Sequence, residues 1–509
     1  MPDKISDELT ASFLQAAILT LRKDVVPSIS DPSARIYADL VTRVLYMLQG
    51  RFSHRGEDLQ KVIAENKALL DEASTLVPDQ GNETPAAANK DYFSAIEKLE
   101  DEAFRVERRI ASKVPTLLQL ASDGGPHKKQ AVQLLRRIVD TEQGFLAAQD
   151  PDILKGSYVC YQGGYIENER VVERPALYGA EITEASLTRH LQKQFPGCRV
   201  EKMSMMAGGF SKTTIFFTLV HADGRSEALV LRKDLPIKYT TNLDYEFPLL
   251  QRMYKAGFPV ATPYWLEDDP KPFGGRFSVS HRVGGSTDVS RWAGDPQKVE
   301  KFARQLAKTM ADLHALRLEQ LDYPTEISSK SAGDLTLAEI NRWAAEHELN
   351  LRRGEAYPIE EIVLQWLKNN VPKSAFARRG VLVHGDIGFH NLMIDNDAKV
   401  TALLDWEFSH PGDPMEELIY TKPFIERVMD WETFKSYYRE YSGMAVTPEE
   451  EFFYIVWSKT RSPINGAQGA AMFKESIPDE LKFAVSGFVL ARYLGLEAGR
   501  MVVDQALAT

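Results

Sequence analysis

Along the first 150 residues, apolar side chains recur at helical spacing. Ile36, Leu40, Val44 and Leu48 fall every four residues. Leu59, Ile63, Leu70 and Leu76 make a second stripe, and Ile96, Leu99, Ala103, Val106 and Ile110 a third. Val132, Leu135, Val139 and Phe145 make a fourth. Such spacing places the apolar residues on one helix face and leaves the other polar. The Pro/Gly/Asn-rich stretch 78–90 (PDQGNETPAAANK) and the segment 122–126 (SDGGP) interrupt the pattern as loops. The expectation is four or five amphipathic helices packed as a bundle.

Beyond residue 155 the period changes. SYVCYQGGYI (157–166) and the segment from Arg199 to Val220 carry β-branched and aromatic residues with glycines between them. IFFTLV (215–220) and EALVLRK (227–233) predict two strands, and HADG (221–224) predicts the hairpin turn joining them. The stretch 244–256 predicts a helix that either holds Pro248 in its first turn or kinks there. RFSVSHRV (276–283) predicts another strand. From about residue 296 helical spacing returns, broken at 380–404 by short apolar strands.

The chain has 509 residues, 44% hydrophobic and 26% charged, enough for a packed core and about three domains. Its 61 basic and 72 acidic residues leave a net charge of −11. That excludes the basic footprint of a general nucleic-acid binder and of a polybasic membrane-surface protein. No apolar run approaches the roughly 18 residues of a membrane span. The opening MPDKISDELT lacks the apolar core of a secretory signal. Cys160 and Cys198 form no CxxC spacing and read as reduced thiols. The expectation is a cytoplasmic protein with neither nucleic acid nor membrane as partner.

Chemistry concentrates in VLVHGDIGFHNLMIDNDAKVTALLDWEFSHPGDP, residues 381–414. Asp386 and Asn391 share a loop after the apolar VLV, and Asp405 follows the apolar ALL. In protein kinases an Asp, an Asn five residues later and a second Asp after the next hairpin divide the work of phosphoryl transfer. The first Asp accepts the acceptor's hydroxyl proton. The other two residues offer the oxygen ligands that Mg2+ prefers.

The stretch resembles the aminoglycoside phosphotransferase family, also called choline-kinase-like kinases. The family's HGD-x4-N, D-W/F-E and GDP segments correspond to His384-Gly385-Asp386 with Asn391, to Asp405-Trp406-Glu407, and to Gly412-Asp413-Pro414. His390 departs from the pattern, standing where the family has glycine, on the acceptor side. The resemblance covers roughly residues 180–509. MAGGFSKTT (206–214) resembles the family's phosphate-covering loop, which implies nucleotide contacts for Gly208, Gly209, Phe210 and Ser211. On the strand LVLRK, Val230 and Arg232 share one face and Lys233 takes the other. The resemblance implies that Arg232 holds the α/β-phosphates and that Glu246 is its ion-pair partner. It also implies that FSVSHRVGG (277–285) joins two lobes, with backbone groups from His281 to Val283 holding the adenine edge. His314 and His384 are expected to be structural or loop-orienting, and Asp413 a loop anchor.

The resemblance therefore implies an α+β fold, a two-lobed protein-kinase-like domain preceded by an all-α helical bundle. The boundaries are 1–155 for the bundle, 156–285 for the N-lobe and 286–509 for the mainly helical C-lobe. The implied reaction is Mg2+-dependent transfer of the γ-phosphoryl group of ATP or GTP to a small-molecule hydroxyl. Asp386 is the catalytic residue, and Asn391 and Asp405 are the metal ligands. A hydroxylated metabolite such as a hydroxyacyl-CoA or hydroxy acid is the favoured acceptor. An antibiotic kinase is one alternative. Its cationic substrate would use Glu416, Glu417, Glu426 and Asp430, although Lys422, Arg427 and Lys435 are interspersed. A non-catalytic nucleotide-binding pseudokinase is the other. The helical N-domain is expected to act on substrate access or partner binding, including a homodimer.

Overall fold

The computed structural model describes residues 7–30, 38, 41–42, 45, 55–78, 95–149, 182–205, 212–234, 243–353, 358–475 and 491–506. By compactness the chain forms two units, and neither is one continuous stretch. One takes residues 163–336 and 372–454; the other takes 1–162, 337–371 and 455–509.

The first of these units is built on a five-stranded antiparallel sheet in the order β1-β2-β3-β5-β4. The strands are β1 Arg199–Met205, β2 Lys212–Val220, β3 Ser226–Asp234, β4 Pro263–Glu267 and β5 Phe277–His281. β2 begins earlier than its apolar run, because Lys212, Thr213 and Thr214 pair with Asp234, Lys233 and Arg232 of β3. The hairpin turn between them is made at His221–Gly224, where Gly224 has φ +87° and its N–H donates to the His221 carbonyl at 2.9 Å.

Alternation gives the sheet two chemically different faces. Ile215, Phe217, Leu219, Leu229, Leu231, Phe277 and Val279 bury one face together with Leu187 and Leu191 of the preceding helix, Glu184–Leu191. Burial of side chains this size contributes about 1.5–3 kcal/mol each. That helix starts at a capping box, in which Thr183 and Ser186 exchange backbone-to-hydroxyl hydrogen bonds of 2.8 and 3.1 Å. The opposite face carries Lys212, Thr214 and Phe216 beside Asp234, Arg232 and Val230. A helix over Leu243–Lys255 brings Glu246 to this face, with Pro248 inside it beyond the first turn.

The rest of this unit is helical with short strands. The helix Pro296–Ala315 is capped by Asp295, whose side chain accepts from the Gln297 and Lys298 N–H groups, with Pro296 at its first position. β6 (Val381–Val383) pairs with β9 (His410–Gly412), and β7 (Leu392–Ile394) with β8 (Val400–Leu403), all antiparallel. Gly285 has φ +124°, and a Cβ there would lie 2.8 Å from the Ile394 carbonyl oxygen. Only glycine fits this close crossing after β5.

In the other unit the predicted stripes are buried. Leu59, Ile63 and Leu70 lie on the helix Arg55–Leu76; Ala103, Val106 and Ile110 lie on Ala95–Ser122; Leu135, Val139 and Phe145 lie on Lys128–Gln149. The first stripe (Ile36, Leu40, Val44, Leu48), Cys160 and the strand-like 157–166 lie outside the described residues. These helices pack with two from far along the chain, Pro358–Asn369 and Ala491–Met501. Arg492 forks onto Glu142 at 2.6 and 2.7 Å, and a Cβ on Gly499 would lie 2.6 Å from Ile359 and 3.4 Å from Val139. The core of this unit therefore crosses the division near residue 155 that the change of period suggests. Among the described residues, no helix is long and apolar enough to cross a membrane.

Candidate active site

Two loops, between β6 and β7 and between β8 and β9, and one sheet face supply the site, all within the unit that holds the sheet. The loop after β6 carries His384, Gly385 and Asp386, and the turn after β8 carries Asp405, Trp406 and Glu407. The backbone of Leu404 stitches the two together. Its N–H donates to the Asn391 carbonyl at 2.8 Å, and its carbonyl accepts from His384 Nε2 at 2.8 Å. His384 Nδ1 accepts the Asp386 N–H at 3.2 Å, so the ring is the neutral Nε2–H tautomer. Complete burial pushes the His384 pKa down, which favours that neutral ring. Glu417 closes the loop from behind, accepting the N–H groups of His384 and, at 3.2 Å, Gly385.

Asp386 is held through both oxygens. The Tyr420 hydroxyl donates to Oδ1. Asn391 Nδ2 donates to Oδ2 at 2.9 Å and to the Asp386 carbonyl at 3.0 Å, while His390 Nε2 lies 3.3 Å from Oδ2. Burial raises the Asp386 pKa, but His390 and the Tyr420 bond outweigh it, and the carboxyl ends below its usual range. It is ionised at neutral pH, as a proton acceptor must be. His390 fits beside it because Gly388 has no side chain; a Cβ there would lie 2.4 Å from the His390 ring.

Asp405 sits in a left-handed conformation, φ 62° and ψ 71°, which is strained for a residue with a Cβ. The turn aims its carboxylate at the sheet, where Arg232 Nη2 lies 2.6 Å from Oδ1. The other amino group of Arg232 binds Glu246. Three residues, from β3, the following helix and the turn after β8, thus meet. Burial lowers the Arg232 pKa, but Asp405 and Glu246 outweigh it and raise it overall. Glu246 and Asp405 are likewise pushed up by burial and pulled below their ordinary values by Arg232 and Lys212.

The remaining candidates fall in different surroundings. Val230 shares the Arg232 face, opposite Phe216 and Ser280. Lys233 is buried on the other face, its Nζ donating to the Phe273 carbonyl at 3.0 Å. His281 ends β5, stacked on Tyr264 at 5.0 Å, and Val283 follows in the segment leading to Gly285. Gly208, Gly209, Phe210 and Ser211 lie outside the described residues. Asp413 caps the helix Pro414–Tyr420, and Arg378 Nη1 donates to both of its carboxylate oxygens at 2.6 and 2.8 Å while Nη2 donates to Glu450. His314 is buried against the Tyr438 hydroxyl at 2.8 Å.

The sequence reading gave no role to Lys212, Glu407 or Tyr420. Lys212 stands three residues after Gly209 and lies on the Arg232 face. Glu407 stands two residues beyond Asp405 in the quoted motif. Their signal was present in the pattern but silent without the register that joins them. Tyr420 carried no local signal.

For a magnesium ion the donor chemistry fits. Among the described residues no group of three or more His, Cys, Asp or Glu side chains forms a metal cage. Mg2+ does not need one; it binds through one or two carboxylates, waters and substrate phosphates. Asp405 offers a carboxylate. Asn391 spends its amide nitrogen on Asp386, so its oxygen is the atom left to serve as a hard ligand.

Residues 204–449 match the phosphotransferase enzyme family, APH. Among curated proteins, the chain is 26% identical over 253 residues to acyl-CoA dehydrogenase family member 11 of Mus musculus, covering 47% of this chain and 31% of that protein. It is 23% identical over 383 residues to acyl-CoA dehydrogenase family member 10 of the same species, covering 74% of this chain and 34% of that protein. The chain thus spans about a third of the length of the curated relatives it matches. Among solved structures, macrolide 2′-phosphotransferase MphH of Brachybacterium faecium aligns at 19% identity with a TM-score of 0.41, covering 59% of this chain and 97% of that one.

Proposed function

We propose that this chain, which carries a phosphotransferase-family domain over residues 204–449, is a kinase of small-molecule hydroxyls that uses ATP or GTP. The observation that carries the reading is the meeting of Arg232, Glu246 and Asp405 beside a loop that holds Asp386 ionised. In the reaction, Asp386 accepts the proton of the acceptor hydroxyl as its oxygen bonds to the γ-phosphorus and the nucleoside diphosphate leaves. Arg232 holds the phosphates, and Glu246 holds Arg232. Asn391 and Asp405 would hold Mg2+, which neutralises phosphate charge when bound. Backbone groups near His281 and Val283 would take the base, and residues 208–211 would cover the phosphates.

For the acceptor we favour a hydroxylated metabolite such as a hydroxyacyl-CoA or hydroxy acid. The named relatives are acyl-CoA dehydrogenase family members. Of the four acidic residues that a cationic antibiotic would use, three are committed elsewhere, and Glu426 is half exposed 3.9 Å from Lys422. Glu416 is buried beside His410 at 3.3 Å, Glu417 binds the His384 loop, and Asp430 caps the helix Trp431–Ser442. The pseudokinase reading is disfavoured by the joint presence of Asp386, Asn391 and Asp405. The test is thermal shift with ATP and GTP, with and without Mg2+, followed by a panel of hydroxyacyl-CoA esters, hydroxy acids and aminoglycosides. Stabilisation by a nucleotide and phosphorylation of an acyl-CoA or hydroxy acid is the expected result. Turnover of aminoglycosides alone would overturn the acceptor class, and nucleotide binding without any turnover would favour the pseudokinase.

A further inference from the structure

Lys212 is more enclosed than Arg232, with 2% of its side chain exposed against 22%. Its Nζ lies 3.0 Å from Glu246 Oε2 and 2.8 Å from Glu407 Oε2. Arg232 takes the other oxygen of Glu246 and, at 2.6 Å, Asp405 Oδ1. Glu407, Lys212, Glu246, Arg232 and Asp405 therefore alternate in sign, and both ends lie on the one turn after β8. Three carboxylates and two cations leave a net charge of one negative.

The proposed chemistry cannot use this arrangement unchanged. Arg232 can turn to a phosphate and Asp405 to a metal only when their mutual pair opens. A buried carboxylate stripped of its partner is strongly destabilising. Asp405 would exchange one cation for another. Glu246 keeps Arg232, and both Glu246 and Glu407 touch Lys212.

We propose that Lys212 is a positioning residue of the nucleotide site: by pairing Glu246 and Glu407 in both states, it offsets their charge, so that Arg232 can exchange Asp405 for phosphate beside a cluster that is not made more negative. This rests on the nucleotide-site reading above. It divides the work between two cations. Arg232, partly exposed, moves between carboxylate and ligand. Lys212, enclosed, stays and sets the local charge. Neutralising Lys212 would leave the cluster two negative, repelling phosphate and tightening the hold of Glu246 on Arg232.

The experiment is calorimetric titration of ATP into the full chain, with and without Mg2+, for the wild type, K212M and K212M/E407Q, with thermal melting as the control for folding. K212M is expected to bind ATP about tenfold more weakly, with the larger loss in the absence of Mg2+. K212M/E407Q removes one charge of each sign and is expected within about threefold of the wild type. Wild-type affinity in K212M would overturn the proposal. So would equal weakness of K212M and the double variant, because the stem of Lys212 rather than its charge would then matter. If K212M does not melt cooperatively, the double variant decides: near wild-type binding supports the proposal and weak binding overturns it. A wild type that binds neither ATP nor GTP under either condition overturns the nucleotide reading itself, and this inference with it; one that binds GTP alone is titrated with GTP, and the same outcomes decide.

Discussion

Asp386 has one charge and two oxygens, and Tyr420, Asn391 and His390 fix both. Little freedom is left, which suits the proposed role of receiving a proton in one geometry. Asp386→Ala is expected to lower phosphoryl transfer on the order of 10²-fold or more. ATP affinity should change little, since Arg232, Glu246 and Asp405 are untouched. Turnover of the variant against the wild type, beside a nucleotide titration, checks both halves; wild-type turnover would remove Asp386 from catalysis. Asp405 and Asn391 differ in charge. Asp405→Ala should abolish the Mg2+ dependence of ATP affinity, and Asn391→Ala should only reduce it, because an amide brings no formal charge to the metal. A magnesium titration of nucleotide affinity reads this directly, and an unchanged curve for Asp405→Ala would place the metal elsewhere.

At the scale of elements, the helix Pro296–Ala315 shows what a motif histidine can be besides a catalyst. His314 near its end is enclosed, and burial together with Arg379 pushes its pKa down to about 3. An unfolded histidine titrates near 6.5. Below that pH the unfolded chain binds a proton that the folded chain refuses, so stability is lost as pH falls, by up to about 1.4 kcal/mol per unit. His347, pushed to about 4 by burial and Lys368, acts with the same sign. Urea unfolding at pH 7 and pH 5 should show the loss, and His314→Gln should make it smaller without removing it. A slope identical in wild type and variant would mean that His314 charges freely in the folded protein.

At the scale of the whole molecule, the first 150 residues do not close a core alone. The helices Ala95–Ser122 and Lys128–Gln149 share theirs with Pro358–Asn369 and Ala491–Met501, and Arg492 pairs with Glu142 across it. A chain starting at Ala176 would expose Ile359, Ile362, Leu496 and their neighbours, which are buried in the full protein. It is expected to aggregate or to melt without a cooperative transition, by light scattering and calorimetry. A soluble, cooperatively melting fragment with wild-type ATP affinity would show that the N-terminal helices are an addition rather than part of a core.

The sequence by itself determined the helix stripes, the hairpin at 221–224 and the spacing of Asp386, Asn391 and Asp405, because these depend on period and on short loops. It also placed Arg232 and Lys233 on opposite faces of one strand, since a strand alternates at every residue. Tertiary packing alone settles that Lys212 and Glu407 meet, that Tyr420 caps Asp386, and that helices far apart in the chain make one core. β4 and β9, of five and three residues, were hidden for a related reason: each holds its shape through cross-strand bonds. Contacts between distant residues come from packing and register, which no local pattern encodes. A lysine three residues past a glycine pair reads the same whether it ends in water or between two buried carboxylates.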